Sequence, residues 1–236
     1  MADDSIPRRK FLLGAGVAGT AVAAGLTSQG EAQTPAAMPA AAPSNEPVTY
    51  LTLSALEAAF LSAVADTMIP ADELSPSGTD CGVVIFIDRQ LAGSFGAGAK
   101  LYRSGPFRRG KPEHGYQLPL TPREFIGVGI AATNDWVRKA HGKDFHRLSP
   151  KEREDALKSL EARKAELDFD AREFFDALLT LVMEGFLADP IYGGNRNKAA
   201  WKMIGYPGLP ALYANSIDEY RHKRYLVEPQ SIADFS

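Results

Sequence analysis

The carboxylates Glu184 and Asp189 flank Gly185-Phe186-Leu187-Ala188, and two acids meeting at the end of a helix are the minimum that general acid/base work requires. If a helix ends between them, their side chains come within reach of one another. The competing roles are structural. An Asp before Pro190 organises a turn through its own side chain, and a Glu on a helix surface pairs with a nearby Arg. Other chemistries find less footing. His114, His141, His146 and His222 form no helical i, i+4 pair and no Cys/His cluster of zinc type, so they read as surface or structural residues. Cys81 has no nucleophile motif around it, and no Gly-x-Ser-x-Gly elbow occurs. Gly14-Ala15-Gly16 lies in the N-terminal targeting stretch. Gly93-Ser94-Phe95-Gly96-Ala97-Gly98 follows no strand and precedes no Lys-Ser/Thr, as a phosphate cradle would. The expectation is a chain with no catalytic residue, metal or cofactor of its own, and hence no catalyst by itself.

With 236 residues, 45% hydrophobic and 23% charged, the chain can bury one sizeable core. Its formal charge of -3 supplies no basic field for phosphates or anionic lipid, which argues against nucleic acid as a partner. A lone cysteine excludes an internal disulfide. Cys81 is therefore either a small buried thiol or, in an oxidising compartment, a bridge to another chain.

The N-terminus reads as an address. Arg8-Arg9-Lys10-Phe11-Leu12-Leu13 precedes an uncharged Gly- and Ala-rich stretch that runs to Leu26, with no acid before Glu31. That stretch is short for a hydrocarbon layer of roughly 30 Å, and paired arginines followed by Phe and Leu fit a twin-arginine signal read by the translocase, the competing reading being a basic start to an ordinary unfolded-export signal. Small residues in Gly30-Glu31-Ala32 place the expected cleavage before Gln33, so residues 1–32 form the signal peptide. Residues 33–48, with Pro35, Pro39, Pro43 and Pro47, cannot repay ordering entropy by burial and read as a flexible linker. The folded domain is expected over residues 49–236. Loss of residues 1–32 removes Asp3, Asp4 and Glu31 together with Arg8, Arg9 and Lys10, leaving the charge at -3.

The elements that must position any site are announced by their caps. Ser54, Thr121, Ser149 and Asp170 each precede a Glu by three positions, the spacing of a capping box or its Asp analogue, and each such cap contributes roughly 1 kcal/mol. Pro122 and Pro150 fall at the first helical position, where the missing N–H costs nothing. Helical periodicity then proposes core faces: Leu56, Phe60, Val64 and Met68; Phe125, Val128, Ala132 and Trp136, closed by His141-Gly142; and Phe174, Phe175, Leu178, Leu179, Val182 and Phe186. The last face is broad enough to make its helix the central one. A shorter helix is expected over Val83 to Leu91, and no alternating strand is evident. The expected fold is all-α, about five to seven helices with two long ordered loops.

Those loops run from Gly93 to Leu120 and from Ala188 to Pro210. Ordered loops of this length usually carry a binding function, and theirs are rich in aromatic, Arg and Gly residues of the kind that anchor partner contacts. Phe107, Tyr116, Asp189, Tyr192, Asn195, Arg196, Trp201 and Tyr206 are the candidate partner-binding residues. The competing reading is a self-packed pair of loops that ties the helices together.

Glu184-Gly185-Phe186-Leu187-Ala188-Asp189-Pro190-Ile191-Tyr192-Gly193-Gly194-Asn195, followed by Trp201-Lys202-Met203-Ile204-Gly205-Tyr206-Pro207-Gly208, resembles the hallmark of the gluconate 2-dehydrogenase subunit 3 family. Phe86-Ile87-Asp88-Arg89-Gln90-Leu91 and the stretch from Gly105-Pro106-Phe107 to Gly115-Tyr116-Gln117 are similar to it too, so the resemblance spans roughly Leu53 to Tyr220. It implies the small subunit of a membrane-associated dehydrogenase of sugars, sugar acids or polyols. In such a complex a glucose-methanol-choline type flavoprotein holds FAD, and a multihaem cytochrome c subunit holds haem c and passes electrons onward. The small subunit binds the flavoprotein and aids its folded export to the periplasm, where the complex sits at the outer face of the cytoplasmic membrane. The resemblance assigns no catalytic residues, and an inter-subunit disulfide at Cys81 stays open. Two other readings compete: a self-sufficient periplasmic enzyme using Glu184 and Asp189, and a free-standing envelope binding protein.

Overall fold

The computed structural model describes residues 49–108, 110–209 and 212–235. The expected signal peptide with Arg8 and Arg9, and the expected linker over 33–48, lie outside the described residues. Among those described, the regular elements are all helical: α1 (Ala55–Met68), α2 (Val83–Ala92), α3 (Pro122–His141), α4 (Pro150–Glu161), α5 (Ala171–Leu187), α6 (Ala199–Ile204) and α7 (Ile217–Tyr220). Short 3-10 turns join several of them. No described helix is long and apolar enough to cross a membrane.

The helix starts follow from the caps. Ser54, Thr121 and Ser149 each accept from the backbone N–H of the Glu three positions on, and that Glu reaches back to the cap's own N–H. Asp170 differs. Its carboxylate accepts from Arg172 N at 3.0 Å and also binds the Arg163 guanidinium, so one acid both starts α5 and pins the preceding turn. Gly142, with φ of 70°, ends α3 in the left-handed conformation that favours glycine.

Helix α5 is the hub. It packs against α1, α2, α3, α4 and α6, and Phe174, Leu178 and Val182 are wholly buried along it. The buried apolar positions of α3 include Phe125, Ile126, Gly129, Ile130 and Val137. This corrects the expected stripe, since Val128 is exposed and Ala132 and Trp136 are half-buried. The reason is steric. A Cβ on Gly129 would lie 2.1 Å from a ring carbon of Phe174, so a position without a side chain is turned toward a wholly buried ring of the hub. Leu56 on α1 and Leu179 on α5, also expected inside, are exposed, and Met68 is half-buried.

The segment that leads into α1 is fixed from within. Asp88 on α2 is 3% exposed and accepts from three successive backbone N–H groups: Leu51 (2.6 Å), Thr52 (3.0 Å) and Leu53 (3.0 Å). Arg123 adds a second clamp, donating to Thr52 and forming a two-pronged ion pair with Glu57.

Candidate functional site

The stretch after α5 turns back on itself and closes the open end of that helix. Carbonyls in the last turn of a helix lack intrahelical donors, and here other residues supply them. Asn195 N donates to Gly185 O at 3.0 Å, Asn195 Nδ2 to Ala188 O at 2.9 Å, and Trp201 Nε1 to Leu187 O at 2.8 Å. Asn195 Oδ1 in turn accepts from Ala200 N, starting α6. The chain reaches this position only through unusual backbone. Asn195, Asn197 and Lys198 all have φ between 43° and 58°, a left-handed region costing of order 1 kcal/mol or more per residue outside glycine. Gly194 is required by proximity, because a Cβ there would lie 2.0 Å from Gly185 O.

The C-terminal segment straps the same corner. Lys198 Nζ donates to Pro229 O and pairs with Asp234, Ile232 N donates to Asp189 Oδ2 at 2.9 Å, and Gln230 exchanges backbone bonds with Pro207 and Leu209. Asp189 Oδ1 accepts from Ile191 N at 3.0 Å. Both oxygens of this carboxylate therefore hold backbone, which is the turn-organising role and not that of a free acid/base partner for Glu184. Glu184 itself is exposed. The alternative expectation of an Arg partner for it is not met among the described residues.

The candidate docking residues divide. Asn195 is 0% exposed, and Trp201 is buried and packs edge-on against Tyr206 (5.1 Å between centroids). These two are corrected from docking residues to scaffold, because their polar atoms are spent inside the domain. Tyr116 is half-buried, stacks on Phe125 at 4.1 Å and donates its hydroxyl to Leu120 O. Burial, with a smaller push from Glu124, raises its hydroxyl to about 12. Phe107, Tyr192, Arg196 and Tyr206 are exposed and keep their availability to a partner.

Cys81 is 1% exposed, and Sγ faces Pro76 O. Burial, and next Asp80, push its thiol up, against a smaller opposing pull from Arg196. A buried protonated thiol is a poor candidate for a bridge to another chain, so the small-buried-thiol reading is the one this geometry favours.

Sequence reasoning missed Asp88 and Lys198. The available signal for Asp88 was an acid ending the apolar run Val83 to Ile87. A buried Asp must find donors, and three backbone N–H groups supply them. Among the described residues, no group of His, Cys, Asp and Glu side chains has the makings of a metal site.

Fold and site together define an all-helical domain whose polar loop residues cap the hub helix from inside, leaving exposed aromatic and aliphatic side chains around that corner. A family model described as gluconate 2-dehydrogenase subunit 3 matches residues 55–208. The chain belongs to the gluconate 2-dehydrogenase subunit 3 family. Comparison with curated proteins and with solved structures returns no significant match.

Proposed function

We propose that the chain is the non-catalytic small subunit of a periplasmic, membrane-associated, flavin-dependent dehydrogenase of a sugar, sugar acid or polyol. It binds an FAD-bearing large subunit of glucose-methanol-choline type and aids that subunit's folded export through the twin-arginine translocase. A multihaem cytochrome c subunit, holding haem c, takes the electrons onward and anchors the assembly at the outer face of the cytoplasmic membrane. The observation that carries this reading is the family match over residues 55–208.

Two features support it. Asp189, half of the acid pair that a self-sufficient enzyme would use, has both carboxylate oxygens committed to backbone N–H groups. Phe107, Tyr192, Arg196 and Tyr206 present rings and a guanidinium at the surface, the residue types that anchor protein contacts at low entropic cost. In this role the chain recognises and escorts, and specificity for substrate resides on the flavoprotein.

The test is purification of the tagged full chain from the organism that makes it. The expected eluate contains a second, larger protein with a flavin absorption spectrum and substrate-dependent dye reduction. A colourless chain eluting alone overturns the proposal.

A further inference from the structure

Along α5 the positions left exposed are Asp176, Leu179, Thr180, Met183, Glu184 and Leu187. Their spacing of three and four residues puts them on a single stripe. The hub helix, enclosed by other helices elsewhere, is therefore open along one side. Three of the six are large and apolar, at 37%, 40% and 38% exposure for Leu179, Met183 and Leu187, and the apolar surface continues past the helix end to Ile191 and Tyr192. Clustered exposed apolar groups of this kind mark contact surfaces more often than solvent faces.

The stripe is a ridge between two clefts. One, of about 300 Å³, lies against the loop that precedes α3, with Phe95, Leu101 and Ile126 in its wall. The other, of about 460 Å³, is bounded by Phe86, Leu187 and Tyr192. Glu184 borders both clefts. Asp176, farther along the ridge, is engaged by Arg172 at 2.8 Å. Glu184 makes no hydrogen bond or ion pair among the described residues, so a carboxylate with unspent acceptors stands between two apolar depressions.

We propose that this ridge seats a basic apolar segment of the flavin-bearing subunit, one in which a Lys or Arg is flanked by Leu, Ile, Met or Phe side chains. The cation meets Glu184, and its neighbours fill the clefts on either side. This rests on the small-subunit reading above and adds which face docks and what chemistry it takes. Charge complementarity selects the occupant. An anionic lipid surface is repelled by the unpaired Glu184 carboxylate. A second copy of this chain packed face to face would set acid against acid across a two-fold axis.

Hydrogen exchange on the complex purified from its host, compared with the isolated chain, tests the proposal together with three surface variants. Amides of residues 176–192 are expected to slow by about tenfold or more on binding, with the outer surface of α3 unchanged. Glu184→Lys and Met183→Glu are each expected to weaken the complex by roughly tenfold or more. Val128→Glu, at an exposed position on α3, leaves affinity unchanged. Matched melting temperatures for the three variants separate lost docking from lost folding. If the flavoprotein binds but residues 176–192 exchange as before and Glu184→Lys binds normally, the ridge is wrong while the subunit reading stands. If no flavoprotein accompanies the wild-type chain, the reading beneath fails and the ridge loses its occupant. If the chain alone dimerises and Met183→Glu abolishes the dimer, the occupant is a second copy and the proposal is overturned.

Discussion

Trp201 donates its indole N–H to the carbonyl oxygen of Leu187 at 2.8 Å, joining the short helix α6 to the last turn of the hub helix α5. The bond belongs to a set of three, with Asn195 supplying the other two donors. The aromatic and Asn-rich stretch after α5 is thus, at its centre, a cap. Trp201→Phe keeps most of the ring's packing and leaves the Leu187 carbonyl without this donor. The expected cost is about 1 to 2 kcal/mol, read as a lowered denaturation midpoint with an unchanged denaturant slope. An unchanged midpoint would mean that the bond contributes nothing.

Asn195→Ala removes both side-chain bonds, to Ala188 O and from Ala200 N, and places a Cβ-bearing residue without local polar compensation at φ of 43°. Loss of two buried bonds is expected to cost about 2 to 4 kcal/mol. Thermal unfolding of the folded domain checks this.

Gly129→Ala would bring a Cβ to 2.1 Å from the Phe174 ring. Overpacking at such a contact destabilises by about 1 to 3 kcal/mol or more. The double variant with Phe174→Leu is expected to recover part of that loss, a coupling that a double-mutant cycle measures directly.

The caps and the hub were legible in the sequence because both are local signals. A Ser or Thr three residues before Glu specifies its own partner, and α5 carries a broad apolar face that few other roles explain. The rotation of α3 was not legible. Ile126, Ile130 and Val137 satisfy helical periodicity as well as Val128, Ala132 and Trp136 do, and only contact with Phe174 decides between them. The corner residues were ambiguous for a related reason. Asn, Gly and Trp in an ordered loop look the same whether their polar atoms face a partner or the end of a helix, and the carbonyls of Gly185, Leu187 and Ala188 settle that question only in three dimensions.

The capping boxes also set an acid limit. Backbone bonding from Ser149, reinforced by its hydroxyl and by Lys143, lowers the Glu152 carboxyl from 4.5 to about 2. Burial pushes Glu57 up, but its bonds to Arg123 and Ser54 together outweigh burial and leave it low. A depressed carboxyl binds its proton later in the folded state than in the unfolded one. Its contribution is fully present above the ordinary value and is lost as pH falls through the folded value. Stability should therefore decline from about pH 4.5 toward 2, and Glu152→Gln should flatten that slope. Chemical denaturation across the range checks both.

Under the proposed escort role, changing Arg8 and Arg9 together to Lys is expected to hold this chain and the proposed flavoprotein partner in the cytoplasm. Cell fractionation followed by detection of both chains decides the matter. A flavoprotein that still reaches the periplasm removes the escort role while leaving the docking role intact.

The most direct measurement is substrate-dependent dye reduction by the isolated folded domain, set beside the complex purified with its flavoprotein, across a panel of sugars, sugar acids and polyols. Turnover is expected from the complex and none from the isolated domain. Turnover by the isolated domain, or a flavin bound to it alone, would overturn the proposed non-catalytic role.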